Sequence, residues 1–449
     1  MSPGYRKRKC QHIGLLMILL IFQPLAVLFS VSSNAEDVPK VITISDGLKF
    51  ATENSRIIKI ASRNKDISYS NTLVAKSRLL PRIDTSASQT FLAYQPGARF
   101  GPQVVRTADK EFFSYGINVY QTVYDFGERS SQYEASKISL DSTKLDIERI
   151  KNLVALDFVI AYLDILEAEK FILVAQKEVE RIESHLKVAQ SLYDEGVITR
   201  NDLLQAEVRL SDAKQKLLTS RNTRAINASR VNNILALPLG YEIQVVEITD
   251  DLSVKIELDK AWETAEKQRF ELSFVDNQLK INRLEETAKK SEYFPTFFAQ
   301  GGYDFTENRF QLHQDNWSLI AGLNLNLFSG GSTRAELSRL RYIREQLLEQ
   351  RRKLVDDIKL EVEKSYRDMR NADEKIRVTK DAVRQAEENL RINKIKYEEG
   401  VGTATDVIDS ITLLTITETN YYRAIYEFKR AQAGLMYAMG QDLVPAYTH

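Results

Sequence analysis

Cysteine is almost missing from this 449-residue chain. Its single copy, Cys10, sits between the basic cluster Arg6 to Lys9 and the apolar run Ile13 to Leu28. With the small residues Ser33-Asn34-Ala35 behind that run, residues 1–35 read as a cleaved export signal. Cys10 then leaves with the signal. Disulfides, cysteine nucleophiles and thiolate metal sites are thereby excluded from the mature protein, and an acylated N-terminal cysteine is not expected. Histidine is scarce as well: His185, His313 and His449 lie too far apart for metal-ligand spacing, so no cofactor is expected. No glycine-rich phosphate loop or nucleophile elbow occurs, and an enzyme is not expected. Acidic pairs such as Asp356-Asp357 fall among Lys and Arg, where solvated ion pairs are the default. An excess of one charge is also lacking. The chain has 62 bases and 62 acids, and loss of the four signal bases leaves 58 against 62. That balance gives no general nucleic-acid footprint. Beyond the signal, no run reaches the ~18 apolar residues that a spanning helix needs, so any passage through a membrane must be made by strands.

What the chain does have is a long internal repeat. Tyr193-Asp194-Glu195-Gly196, with Thr199 and Asp202, returns as Tyr397-Glu398-Glu399-Gly400, with Thr403 and Asp406, about 204 positions later. Val123-Tyr124-Asp125-Phe126-Gly127 faces Leu327-Phe328-Ser329-Gly330-Gly331 at the same offset, and Leu80-Pro81 answers Phe294-Pro295 at an offset ten residues larger. Two equivalent halves are implied, 36–240 and 258–449, joined by a mixed connector at 241–257 that contains the β-prone stretch Ile243 to Ile248.

Each half carries a proline-free heptad seam. Val154, Phe158, Ala161, Ile165, Ala168, Ile172, Ala175, Val179, Ile182, Leu186, Ala189 and Tyr193 alternate steps of four and three, which keeps one stripe against a partner helix. The same stripe recurs in register from Ile358 to Tyr397. Helices from about Glu128 to Glu195 and from about Ser332 to Glu399 follow, each on the order of 100 Å long. Gly196 and Gly400 suit the left-handed residue just past a helix end. Thr199 and Thr403 suit N-caps of the returning helices, with Asp202 and Asp406 placed to complete a capping box. Shorter helices are expected over Ser45 to Leu79 and Leu258 to Glu292.

After each proline the period drops to two. In Thr296 to Phe305, Phe297, Ala299, Gly301, Tyr303 and Phe305 oppose Phe298, Gln300, Gly302 and Asp304. In Asn316 to Phe328, Trp317, Leu319, Ala321, Leu323, Leu325 and Leu327 oppose Ser318, Gly322, Asn324 and Asn326. Glu111 to Tyr124 alternates in the same way, and Asp84 to Tyr94 does so weakly. An apolar face against a small and polar face is the transmembrane-barrel pattern. Gln95 to Lys110 and Thr306 to Asp315 read as loops. Four strands cannot close a barrel in lipid, so copies of the chain must complete it.

The two Tyr-x-x-Gly tips, the prolines before the strand pairs, Gln121-x-x-Tyr124-Asp125-Phe126-Gly127 and Phe328-Ser329-Gly330-Gly331 together resemble the TolC-like outer-membrane efflux protein family, across essentially the whole mature chain. That resemblance implies a mainly α protein with membrane β: a homotrimer whose protomers give four strands each to one twelve-stranded barrel, continued by a coiled-coil periplasmic tunnel. It implies an exit duct in the outer membrane of a Gram-negative bacterium, serving tripartite efflux or type I secretion with a periplasmic adaptor protein and an inner-membrane pump of RND or ABC type. Gly402-Thr403-Ala404-Thr405-Asp406-Val407-Ile408-Asp409 resembles the family segment that bears a constricting acidic ring, so Asp406 and Asp409 are expected at the pore constriction. The first tip offers Asp202 and Gln205 at the equivalent places. Tyr397 matches a tyrosine that helps close the tip, whose arginine partner is replaced by Gly402 here. Gly196, Val197 and Thr199, with Gly400, Val401, Gly402 and Thr403, are the expected adaptor contacts. A structural coiled-coil tether or surface adhesin of the cell envelope is the rival reading. It accounts for the rods but not for paired alternating segments at matched places in both halves.

Overall fold

A computed structural model describes residues 40–248 and 256–447. The expected export signal over 1–35 and part of the connector, 249–255, lie outside the described residues. The chain begins with β1 (Val41–Ile42), α1 (Ile44–Asn54) and α2 (Arg56–Ser77). It continues with β2 (Arg82–Phe91), β3 (Gly97–Phe100), β4 (Gln103–Arg106) and β5 (Glu111–Tyr124). The long α3 (Glu128–Asp194) and the returning α4 (Arg200–Ile234) complete the first half. β6 (Gln244–Val245) runs parallel to β1 and ties the connector to the start of the chain. The second half repeats the plan with α5 (Leu258–Gln268), α6 (Phe270–Lys290), β7 (Thr296–Thr306), β8 (Asp315–Asn324), α7 (Ser332–Glu398) and α8 (Ala404–Ala438), and the short α9 (Leu443–Ala446) follows.

The two long helices have 67 residues each and the two returning helices 35 each, so the repeat read from the tips extends to element length. The heptad stripe is what they bury. Val154, Phe158, Ala161 and Ile165 on α3, and Ile358, Val362 and Met369 on α7, are all buried. The two halves do not occupy equal places. α3 packs against α1, α2, α4, α6, α8 and α9, whereas α7 packs against α5, α6 and α8. The expected ion pairs on the outer faces are present, such as Lys353 Nζ at 2.5 Å from Asp357 Oδ2, and Asp356 remains solvent-facing beside it.

β2, β5, β7 and β8 form one antiparallel sheet in that order. One face carries Tyr115, Ile117, Tyr303, Trp317, Leu319 and Leu323. Trp317 is 76% and Leu319 85% exposed, an uncovered apolar surface that suits lipid rather than water. The opposite face carries Ser86, Gly116, Asn118, Gly302, Asp304 and Ser318. Its glycines make room for neighbours: a methyl group on Gly116 would strike the Asp304 carboxylate, and one on Gly302 the Asn118 amide. Among the described residues no helix is long and apolar enough to cross a membrane.

One expectation holds and three need correction. The weakly alternating segment at Asp84 to Tyr94 is indeed a strand, β2, all ten residues of which pair with β5. Its pattern is faint because β2 lies at the sheet's edge and holds few large apolar side chains. β8 ends at Asn324 rather than Phe328, because its last partner is Thr296 and Pro295, just before, has no N–H to extend the ladder. The loop at Gln95 to Lys110 contains the hairpin β3–β4, which turns at Gly101 with φ +60°. Finally, each expected short helix is broken in two, at Ser55 (ψ 132°) and at Arg269 (ψ 119°). Neither position carries proline or glycine. Docking makes the break: Arg269 Nη1 donates to Glu361 Oε2 and to the Ala438 carbonyl, and the backbone of Gly440 lies so close to Gln268 and Arg269 that it admits no Cβ.

Candidate functional site

Both helical hairpins turn at tips about 100 Å of helix away from the sheet. Gly196 (φ +75°) and Gly400 (φ +73°) take the left-handed conformation that ends α3 and α7, where any other residue would be strained. Val197 N–H then donates to the Leu192 carbonyl at 2.8 Å, and Val401 N–H to the Lys396 carbonyl at 2.9 Å. Val197 and Val401 protrude, 59% and 78% exposed. Thr199 and Thr403 follow as N-caps of α4 and α8, and both capping boxes are complete. Asp202 Oδ2 accepts from Thr199 N (3.0 Å) and Oγ1 (2.7 Å). Asp406 Oδ2 accepts from Thr403 N (3.1 Å) and Oγ1 (2.6 Å).

Asp406 therefore holds a helix start, and the bonds engage one of its carboxylate oxygens. The side chain remains exposed, as does Asp409 one turn along α8. The hydroxyl and N–H of Thr403, with Lys396 nearby, hold the Asp406 carboxyl below the usual carboxylate range, so it stays charged at neutral pH. Gln205 is exposed at the first tip, and Asp202 is half-buried.

The tips differ in two respects. Gly402 N–H makes an additional bond to the Lys396 carbonyl at 2.9 Å, which closes the second turn more tightly. A Cβ at Gly402 would lie 3.0 Å from both Lys396 Cβ and the Tyr397 nitrogen, so this loop has no easy room for the arginine that the family motif carries. The second difference is Tyr397. Tyr193 at the first tip is 37% exposed, whereas Tyr397 is 4% exposed. It joins Ile182, Ala213, Leu390, Val407 and Ile411 in a core shared by α3, α4, α7 and α8. Its ring lies 5.0 Å from that of His185 on α3. Tyr397 is thus part of the seam between the two hairpins.

His185 was not among the expected site residues. It lies three residues after Ile182 and four before Ala189, so it falls in the seam, and that spacing was the available signal. Asn393 was missed as well. Its Nδ2 donates to Ser410 Oγ at 2.5 Å, and Ser410 Oγ donates to the Asp406 carbonyl at 2.6 Å, which clamps α7 to the start of α8. Farther from the tips, Arg181 makes a bidentate pair with Glu418, its Nη1 and Nη2 at 2.8 and 2.9 Å from the carboxylate oxygens. Arg430 reaches Asp164 and Glu167 from α8, both at 2.9 Å. These pairs join α3 to α8 across the hairpins. Among the described residues no group of His, Cys, Asp and Glu is placed to hold a metal ion.

Comparison with known proteins gives a consistent result. The family model described as "Outer membrane efflux protein" matches residues 49–237 and 264–441, one segment in each half. The chain is 20% identical over 392 residues to nodulation protein T of Rhizobium leguminosarum bv. trifolii, covering 85% of this chain and 81% of that one. It is 21% identical over 418 residues to the alkaline protease secretion protein AprF of Pseudomonas aeruginosa, covering 88% and 84%. The structure of the outer membrane protein VceC from Vibrio cholerae superposes with a TM-score of 0.76 at 13% identity, covering 89% of this chain and 96% of that one. The fold and the family are those of channels. The lipid-facing sheet, the long paired helices and the matched segments of both halves place this chain in the outer membrane efflux protein family, as an outer-membrane channel protein of a Gram-negative bacterium with its helical tunnel in the periplasm.

Proposed function

We propose that three copies of the chain assemble into the exit duct of a tripartite efflux or type I secretion system. The observation that carries this reading is the sheet itself. β2 and β8 each have one partner, so both edges present unpaired N–H and C=O groups to the membrane. Lipid offers no hydrogen bonds, and pairing β2 of one copy with β8 of the next removes every edge. Three copies make a twelve-stranded barrel lined by the polar face, and the helices continue it as a tunnel. A periplasmic adaptor grips the exposed tips at Gly196, Val197, Thr199, Gly400, Val401, Gly402 and Thr403, and an inner-membrane pump of RND or ABC type supplies the cargo.

Asp406 and Asp409 form the narrow acidic mouth in this reading, with Asp202 as a smaller contributor beside Gln205. Their exposure and i, i+3 spacing support it, as does the cap that keeps Asp406 ionised. Six carboxylates in one mouth attract cations and resist anions. The purified protein is expected to run as a heat-resistant trimer on gels and to form cation-selective channels in planar bilayers. Asp406→Ala combined with Asp409→Ala should cut cation selectivity and divalent-cation block severalfold. A monomer without channel activity would overturn the duct, and unchanged selectivity in the double variant would overturn the acidic mouth.

A further inference from the structure

Two polar atoms in the tip core have no hydrogen-bond partner: His185 Nε2 and Tyr397 Oη. Each residue is 4% exposed, and the two rings touch across the seam between the α3–α4 and α7–α8 hairpins. Folded proteins seldom leave such atoms unpaired, and where they do, the arrangement is a reservoir of strain that another state can release. Building on the proposal that the tips form the narrow mouth of the duct, we propose that His185 is an acid-sensitive latch: neutral, it lets the two hairpins close on each other, and protonated, it drives them apart and opens the periplasmic mouth.

The surroundings explain the direction. From α7, Lys394 presents a like charge to the imidazole, and the Tyr397 ring covers it. From α4, Asp202 acts on the Tyr397 hydroxyl, but its Oδ2 is held by the capping box of Thr199. From α8, Glu418 is committed to Arg181, which lies one turn from His185 on α3, and Asp406 and Asp409 sit on the exposed side. The carboxylates in this set are engaged in a cap or an ion pair or lie on the exposed side, and Lys394 opposes an imidazolium.

The sign of the linkage follows. Burial, and then Lys394, hold the His185 pKa down to about 4, whereas in water an imidazole titrates near ~6.5. Opening that wets the ring lets it take up a proton between those values, so acid favours the open form, and the closed form regains its advantage as pH rises above ~6.5. Complete exposure would favour opening at pH 5 over pH 7.5 by at most roughly thirtyfold per chain. The latch occurs once per chain, because the counterpart of His185 in the second half is Asn389, which is exposed, and Tyr193 is not enclosed as Tyr397 is.

The test is open probability of the full-length trimer in planar bilayers at pH 7.5 and pH 5. The wild type is expected to open severalfold more at pH 5, His185→Gln to respond little, and Lys394→Gln to give a smaller response. Lys394 is only half-buried, so its replacement keeps the test available should His185→Gln misassemble. An acid response of wild-type size in both variants, or none in the wild type, would overturn the latch while leaving the channel intact. Absence of channels at every pH would instead remove the duct reading, and the latch with it.

Discussion

At the scale of single residues, the two tips show how one motif acquires two roles. Thr199 and Thr403 cap their helices in the same way, and Asp202 and Asp406 complete both boxes. Capping is a local interaction, which is why spacing alone exposed it. Loss of an N-cap hydroxyl costs about 1 kcal/mol, so Thr403→Ala should speed amide hydrogen exchange in the first turn of α8 by roughly fivefold. The same change removes the hydroxyl bond to the Asp406 carboxylate while the backbone N–H bond remains, so its pKa should rise part of the way toward the ordinary range. Burial distinguishes Tyr397 from Tyr193, and no local signal carries that difference. The neighbours of Tyr397 come from four helices, and His185 lies more than two hundred residues away in sequence.

At the scale of elements, the heptad stripes over Val154 to Tyr193 and Ile358 to Tyr397, together with the glycines that flank the proline-free stretches, bounded the long helices to within a residue at each end. The breaks at Ser55 and Arg269 were invisible for the complementary reason. They arise where α1 docks on α3 and α5 on α7, and the residues at the breaks have no unusual backbone preference. The Arg181–Glu418 pair was equally hidden, since its partners lie in different halves. Both side chains are largely enclosed, at 19% and 9% exposure. Glu418→Ala should therefore leave a buried guanidinium unpaired and cost about 3 kcal/mol, while the double change Arg181→Met with Glu418→Leu should recover most of that loss. Thermal unfolding of the three proteins, followed by circular dichroism, measures the difference.

At the scale of the whole molecule, the two faces of the sheet make opposite demands on substitution. Leu319 points to the apolar face and Ser318 to the small polar one. An arginine on the lipid side near mid-strand costs about 2–4 kcal/mol, whereas a lumen position tolerates charge. Leu319→Arg should sharply reduce the amount of heat-resistant trimer recovered from outer membranes, and Ser318→Arg should assemble normally and alter ion selectivity. Equal losses in both variants would reverse the assignment of the faces. The open edges at β2 and β8 belong to this scale too, because they have meaning only when a second copy is placed beside the first.

The sequence by itself determined what repeats and what alternates. Seam spacing placed the rods, period-two alternation placed the four strands, β2 only faintly, and glycine and threonine placed the tips, because each of these reflects the geometry of a single element. Tertiary structure alone decided where α1 and α5 break from α2 and α6, that the faint β2 is a complete edge strand, and that Tyr397 is enclosed against His185. Those outcomes depend on which surfaces meet after the two halves pack together. Duplicated segments then enter unequal surroundings, since among the described residues α3 meets α1, α2, α4, α6, α8 and α9, whereas α7 meets α5, α6 and α8.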